Sequence, residues 1–265
     1  MIKVGVLGAA GRVGSVICQS VIDAADLDLV AAVDPAAVGR RIAVPGRDAG
    51  EGPVISASVE SLADAGVEVA VDFTLAEAAL ANLRWCAANG VHLVCGTTGL
   101  GASELAEVGH LFEGSPANAL VAPNFAIGAV LMMHFAELAA RWFESAEIVE
   151  LHHDAKVDAP SGTALLTASR LAVGGFSGVG DQTRKLVLEG ARGGESDGGI
   201  RIHSVRLRGL VAHQEVLLGT TGQSLTIRHD SYDRTSFVPG VLLAVRQVAT
   251  RPGLTVGLDS LLGLV

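Results

Sequence analysis

Ile2-Lys3-Val4-Gly5-Val6-Leu7-Gly8-Ala9-Ala10-Gly11-Arg12-Val13-Gly14 is the stretch that decides the fold. Residues 2–7 form a short apolar run suited to a buried strand, and glycines follow at once. Gly8 permits a tight turn, Gly11 lets backbone approach a pyrophosphate, and Gly14 allows close packing of helix on strand. The GxxGxxG spacing is a variant of the dinucleotide fingerprint, and its context gives it weight. A strand precedes it and a helix follows. Asp34 ends the next strand, where a carboxylate can bind the ribose hydroxyls of an adenosine.

Outward from this turn, strands and helices alternate. A helix runs to about Ala24, strands cover 27–33 and 67–73, and an Ala-rich helix covers 75–89. Strand 91–95 leads into Gly96-Thr97-Thr98-Gly99, and strand 119–122 into Pro123-Asn124. This alternation predicts an α/β fold, a Rossmann-like dinucleotide-binding domain whose parallel sheet is covered on both faces. The irregular stretch 35–58, with Arg40, Arg41 and Arg47, predicts a loop with at most a short helix or strand. Past Ala126 the pattern changes to a helix over 127–143, a strand over 147–151 and a helix after Ser161. A glycine-rich loop over 174–199 comes next, then alternating runs at 200–207, 213–218 and 224–229. Gly219-Thr220-Thr221-Gly222 joins the last two as a hairpin. These runs predict the antiparallel strands of a second, α+β domain, and 236–249 predicts a final amphipathic helix.

Composition narrows the function. With 19 basic against 28 acidic side chains the net charge is −9, which argues against nucleic acid as a partner. A basic pocket in an acidic protein still suits a small anion. Cys18, Cys86 and Cys95 show no metal spacing and read as small core residues in a reducing cytoplasm. The N-terminal apolar run is too short for a signal peptide. The longest apolar segment, 126–143, is interrupted by His134, Glu137 and Arg141, so no membrane span is expected.

The chemistry concentrates in Glu150-Leu151-His152-His153-Asp154-Ala155-Lys156-Val157-Asp158-Ala159-Pro160-Ser161-Gly162-Thr163-Ala164-Leu165. A strand ends, a loop closes at Pro160, and a helix begins near Ser161. Unpaired N–H groups at the helix start seat an anion. Lys156 adds a full positive charge, and His152 and His153 can each carry a proton near neutral pH. Adjacent strand residues face opposite ways, so the two histidines have different roles and no shared metal is expected.

This window resembles the signature of the 4-hydroxy-tetrahydrodipicolinate reductases (dihydrodipicolinate reductases): a Glu, paired histidines, Lys, and Asp-x-Pro-Ser-Gly-Thr-Ala without a gap. The segments Gly96-Thr97-Thr98-Gly99 and Ala122-Pro123-Asn124-Phe125 match that family's loops beside the nicotinamide. The resemblance implies NAD(P)H-dependent reduction of a small cyclic dicarboxylate in lysine and diaminopimelate biosynthesis, with loss of water. It implies His152 as the acid/base group, and Lys156 as proton donor or as stabiliser of developing charge. His153, Lys156, Ser161, Gly162 and Thr163 would hold the substrate carboxylates. Gly8, Ala9, Ala10, Gly11, Arg12, Val13, Asp34, Gly96, Thr97, Thr98, Ala122, Pro123, Asn124 and Phe125 would hold the cofactor.

The resemblance also implies that the C-terminal segment returns to the first domain. Residues 1–126 with 236–265 would then bind the dinucleotide, and 127–235 would bind substrate and form a homotetramer. Asp34 favours NADH, because a carboxylate repels a 2′-phosphate, whereas Arg12, Arg40 or Arg41 could meet one. Many relatives carry a basic residue where Ala10 stands, so NADH is expected to serve at least as well as NADPH. Arg206, Arg208 and the pair His229-Asp230 match the second domain and read as solvated strand faces or subunit contacts. The competing readings are a reductase of a related cyclic imine acid and a catalytically silent nucleotide sensor.

Overall fold

The computed structural model describes residues 1–46, 48, 51–196 and 198–264; Arg47 lies outside them. The chain forms two compact units, Met1–Phe125 with Phe237–Val265, and Ala126–Ser236.

In the first unit the strands are β1 (Ile2–Leu7), β2 (Leu27–Val33), β3 (Val69–Asp72), β4 (His92–Cys95) and β5 (Ala119–Val121). The helices are α1 (Gly14–Asp23), the single turn α2 (Ser61–Asp64), α3 (Ala76–Asn89) and α4 (Ala102–Glu113). The second unit holds α5 (Ile127–Ala140), β6 (Ser145–His152), α6 (Gly162–Val173), β7 (Gly194–Glu195), β8 (Arg201–Arg206), β9 (Ala212–Thr220) and β10 (Gln223–Ser231). The chain then returns as α7 (Val238–Gln247) and β11 (Leu254–Val256) to the first unit.

The first sheet has the order β11-β5-β4-β3-β1-β2, with every neighbouring pair parallel. Its strands are apolar on both faces because helices cover both. Ile17 and Val21 of α1 and Val241, Ala244 and Val245 of α7 are buried, as are Leu83 of α3 and Phe112 of α4. β2 and β3 leave β1 in opposite directions, so the strand order reverses beside β1. Such a reversal opens a crevice at the carboxyl ends of the strands.

Three elements here have no counterpart in the sequence reading: the single turn α2, α4 and β11. α4 carries Gly109 in mid-helix and mixes charged with apolar residues, and that obscures its period. β11 is only three residues long and takes its place at the sheet edge through pairing with β5. Among the described residues of the stretch 35–58, a 3-10 turn at Pro35–Ala37 and bridges from Ser56 to Val33 and from Val54 to Arg41 are the regular structure.

The second sheet has the order β10-β9-β6-β8-β7. It is mixed, because β6 and β8 run parallel while the other pairs are antiparallel. The turn joining β9 to β10 narrows to Thr221-Gly222, with Gly222 at φ +81°. Ile148, Ile202 and Val216 form the buried face. Gln214 of β9 donates to Thr167 Oγ1 of α6 at 2.7 Å, tying helix to sheet. Among the described residues no helix is long and apolar enough to cross a membrane.

Candidate active site

The glycine turn after β1 is built by close approach. Gly8 sits at φ +77°, where an added Cβ would stand 2.8 Å from the Phe73 carbonyl oxygen. A Cβ on Gly14 would fall on the carbonyl of Gly8, so only glycine lets α1 start this near the strand. Asp34 fixes the turn from the side: its Oδ2 accepts from Ala10 N at 2.9 Å and its Oδ1 from Ala36 N at 3.0 Å. A cavity of about 610 Å³ opens here. Its walls include Gly8, Gly11, Asp34, Phe73, Thr74 and Asn82, at the carboxyl ends of β1, β2 and β3. The residues present fit a dinucleotide, with glycine backbone for a pyrophosphate and a carboxylate beside it for ribose. Arg12, Arg40 and Arg41 are exposed; Arg41 Nη1 donates to Gly52 O at 2.6 Å.

Asp72, at the end of β3, is 0% exposed. It accepts from Thr74 N (2.8 Å), Thr74 Oγ1 (2.6 Å), Thr97 Oγ1 (3.3 Å) and Asn82 Nδ2 (2.7 Å). Burial pushes its pKa up, and these neutral donors only partly oppose that. One carboxylate therefore holds together two rim loops and a cavity-wall amide. The sequence reading missed Asp72, although a lone acid ending an otherwise apolar strand was a usable signal.

The other rim residues divide. Thr97 is buried, its hydroxyl turned to Asp72 and the Thr74 carbonyl, while Thr98 is exposed. Ala122 and Phe125 are buried, and Pro123 is exposed. Phe125 packs against Phe73 with ring centroids 5.8 Å apart. A Cβ on Gly96 would fall on the Phe73 ring, so that glycine exists to admit the ring. Thr97 and Phe125, expected at the cofactor, thus have interior side chains, because the loop is anchored through them.

In the second unit β6 ends at His152. Glu150, two residues back and so on the same strand face, is 0% exposed. Arg206 of β8 grips it with Nη1 at 2.9 Å from Oε2 and Nη2 at 2.8 Å from Oε1. This is a two-pronged pairing that suits guanidinium and carboxylate. Ser161 N donates to Oε1 at 3.1 Å, and His152 Nδ1 lies 2.5 Å from Oε2. A carboxylate only accepts, so Nδ1 carries the proton and Nε2 is left for exchange.

Burial alone would raise the pKa of Glu150, but Arg206, Ser204 and His152 outweigh it and the net shift is down. Burial pushes the His152 pKa below its ordinary 6.5, with Glu150 opposing and Lys156 and Arg206 adding to the fall. Lys156 Nζ lies 2.7 Å from both Asp158 oxygens. That contact, led by the hydrogen bond, lowers the pKa of Asp158. His153 is just past the strand end, half-buried, with its N–H donating to Val211 O at 3.4 Å.

Ser161 caps α6: its Oγ accepts from Ala164 N at 3.2 Å. Its N–H is thus committed to Glu150 and its hydroxyl oxygen to the cap, and Gly162 and Thr163 supply the first helical N–H groups. A cavity of about 510 Å³ in this unit is walled by residues including Pro160, Leu165, Ser196 and Ser204, not by His152, His153 or Lys156.

The reading of Arg206 as a solvated or subunit-facing residue is corrected: it is the main partner of a buried carboxylate. Arg208 stays on the surface, at 2.8 Å from Asp154. Asp230 is 2.6 Å from Nδ1 of the buried His213 and also pairs with Arg228, so it is no free surface acid. Among the described residues no group of histidines, cysteines or carboxylates could hold a metal ion.

Comparison with known proteins matches both units. Residues 2–125 match the family described as dihydrodipicolinate reductase, N-terminus, and 128–262 match dihydrodipicolinate reductase, C-terminus. The 4-hydroxy-tetrahydrodipicolinate reductase of Nocardia farcinica is 53% identical, with 99% of each chain covered. That of Cutibacterium acnes is 51% identical over 100% of both chains. A dipicolinate-bound dihydrodipicolinate reductase from Paenisporosarcina sp. TG-14 superposes with a TM-score of 0.85 at 41% identity, covering 98% of this chain and 99% of that one. The glycine turn, the braced histidine and the full-length likeness agree, and the chain belongs to the dihydrodipicolinate reductase family.

Proposed function

We propose that this chain reduces 4-hydroxy-tetrahydrodipicolinate, by way of dihydrodipicolinate and with loss of water, to tetrahydrodipicolinate in lysine and diaminopimelate biosynthesis. The observation that carries the reading is His152, held by the buried Glu150 and followed within one loop by Lys156 and the start of α6. The relatives' names support it, and so does the planar dicarboxylate bound to the Paenisporosarcina enzyme.

The residues divide the work between the two units. Residues 1–126 with 236–265 bind the dinucleotide and 127–235 the substrate. Backbone from Gly8 to Val13 cradles the pyrophosphate, and Asp34 takes the adenosine ribose. Thr98 and the loop containing Asn124 border the ring, with Gly96, Thr97, Ala122 and Phe125 fixing those loops. A bound nicotinamide dinucleotide supplies the hydride. Lys156 and the N–H groups of Gly162 and Thr163, with His153 beside them, hold the substrate carboxylates, for which Lys156 exchanges Asp158. His152 Nε2 exchanges the proton that completes the reduction, and Lys156 stabilises charge as it develops.

NADH serves at least as well as NADPH, because Asp34 disfavours a 2′-phosphate. Subunits assemble as homotetramers; Val149, Leu151 and Val205 are only half-buried, on the sheet face opposite Ile148 and Ile202. The three buried free thiols suit a reducing cytoplasm.

The test is loss of reduced-nicotinamide absorbance with substrate generated in situ from aspartate semialdehyde, pyruvate and a synthase, run with each nucleotide. Turnover with both, NADH at least equal, is expected. Nucleotide binding without oxidation would instead indicate a sensor. Light scattering checks the tetramer.

A further inference from the structure

We infer that Glu150, clamped by Arg206, is a positioning residue that holds His152 in its reactive tautomer and supports its protonated form. This rests on the reductase reading and goes beyond it by naming what makes the imidazole effective.

Geometry carries the argument. Glu150 is wholly buried, yet each of its oxygens has two donors: Arg206 and Ser161 N on Oε1, Arg206 and His152 on Oε2. Arg206 is itself held by the carbonyls of Val205 (2.9 Å) and Asp158 (2.7 Å). The carboxylate therefore cannot rotate away from the imidazole without losing several charge-assisted bonds. With Nδ1–H committed to Glu150, the exchangeable proton belongs to Nε2.

Charges facing this site come from Glu150 on the same strand, from Lys156 and Asp158 in the loop, and from Arg206 on β8. Of these, Lys156 and Arg206 disfavour an imidazolium, and Glu150 is the group in direct contact that favours it. Arg206 in turn keeps Glu150 ionised, so that the proton stays on the histidine. The same carboxylate fixes Ser161 N at the start of α6, which places the acid/base group and the anion seat in one frame.

The experiment compares Glu150→Gln, His152→Gln and the double variant by kcat, KM, nucleotide Kd and the pH profile. Glu150→Gln is expected to lower kcat by about 10- to 100-fold with nucleotide Kd unchanged. The alkaline limb should move to lower pH, because the imidazolium loses its carboxylate. The double variant should be no slower than His152→Gln alone, since Glu150 acts through that histidine. If Glu150→Gln does not fold, Glu150→Leu with Arg206→Met removes the buried pair as a unit; the same loss of kcat is expected, with a limb shift in the same direction but smaller, because Arg206, which disfavours the imidazolium, is removed as well.

A variant with wild-type kcat and an unmoved limb would overturn the inference, as would a further loss in the His152→Gln background. A wild-type protein with no turnover would instead overturn the reductase reading. In that case the imidazole 15N shifts still report whether Nδ1 holds the proton, and a proton on Nε2 would overturn the tautomer.

Discussion

Asp72 and Glu150 are both completely buried carboxylates at the C-terminal ends of strands, and they are held in opposite ways. Asp72 has only neutral donors, two hydroxyls, an amide side chain and a backbone N–H, and its pKa is raised. Glu150 has a guanidinium on both oxygens and its pKa is lowered. Burial is the same for both, so the partner's charge decides which form is stable. The neutral-donor site serves as a joint between loops. The cation-clamped site keeps a permanent negative charge for a histidine to lean on.

The contrast can be broken most violently at Arg206. Arg206→Met leaves the Glu150 charge buried without its counter-ion and should cost about 3–5 kcal/mol, read as a fall in Tm or in denaturant midpoint. A loss below ~1 kcal/mol would mean that Glu150 is not held as an ion.

Next comes the group that depends on this charge. His152→Gln should lower kcat about 100-fold, equal to about 2.7 kcal/mol of barrier, with nucleotide affinity unchanged. Full activity in that variant would remove the imidazole from the reaction.

At the neutral-donor site the effects should be smaller. Asn82→Ala removes one hydrogen bond to Asp72 and should cost about 1 kcal/mol in a denaturant titration. The value should grow if Asp72 carries a charge.

The smallest effect, and the most diagnostic, is the pH dependence of stability. The folded-state pKa of Glu150 lies below its ordinary 4.5, so its contribution is present above that value and is lost as pH falls through the folded pKa. The folded-state pKa of Asp72 lies above its ordinary 3.8, so its contribution has the opposite sign. It is present at low pH and is lost as pH rises through the raised value. Asp72→Asn should therefore cost little at acid pH and become neutral or stabilising as pH rises, whereas Glu150→Gln should grow costlier over the same span. Parallel stability curves for the two variants would erase the distinction.

How much of this was legible in the chain follows from how locally each feature is encoded. The turn at Gly8 and Gly14 could be read because steric exclusion of a Cβ leaves a glycine in the sequence. The start of α6 could be read from Pro160 and Ser161. Glu150 stands in the quoted motif, yet Glu147 three residues earlier looks the same. Only strand parity separates them, since Glu150 shares a face with Ile148 and His152 while Glu147 faces the other way, toward Arg192 and His203. Arg206 could not be found this way. It reaches Glu150 because β8 pairs with β6 in parallel register, opposite His152, and register between distant strands is set by the whole sheet. The inward turn of Thr97 and Phe125 was hidden for the same reason, as their anchors, Asp72 and Phe73, lie at and just past the end of another strand, β3.

The pairing of Leu254–Val256 with β5 has a consequence for biosynthesis. A chain made from its N-terminus exposes the outer edge of β5 from the moment that strand emerges until residue 256 has left the ribosome. All of Ala126–Ser236 is translated in that interval and is free to fold first. The nascent protein therefore carries an open parallel edge for as long as that whole unit takes to be made, and that edge is where an arrested or truncated product would aggregate.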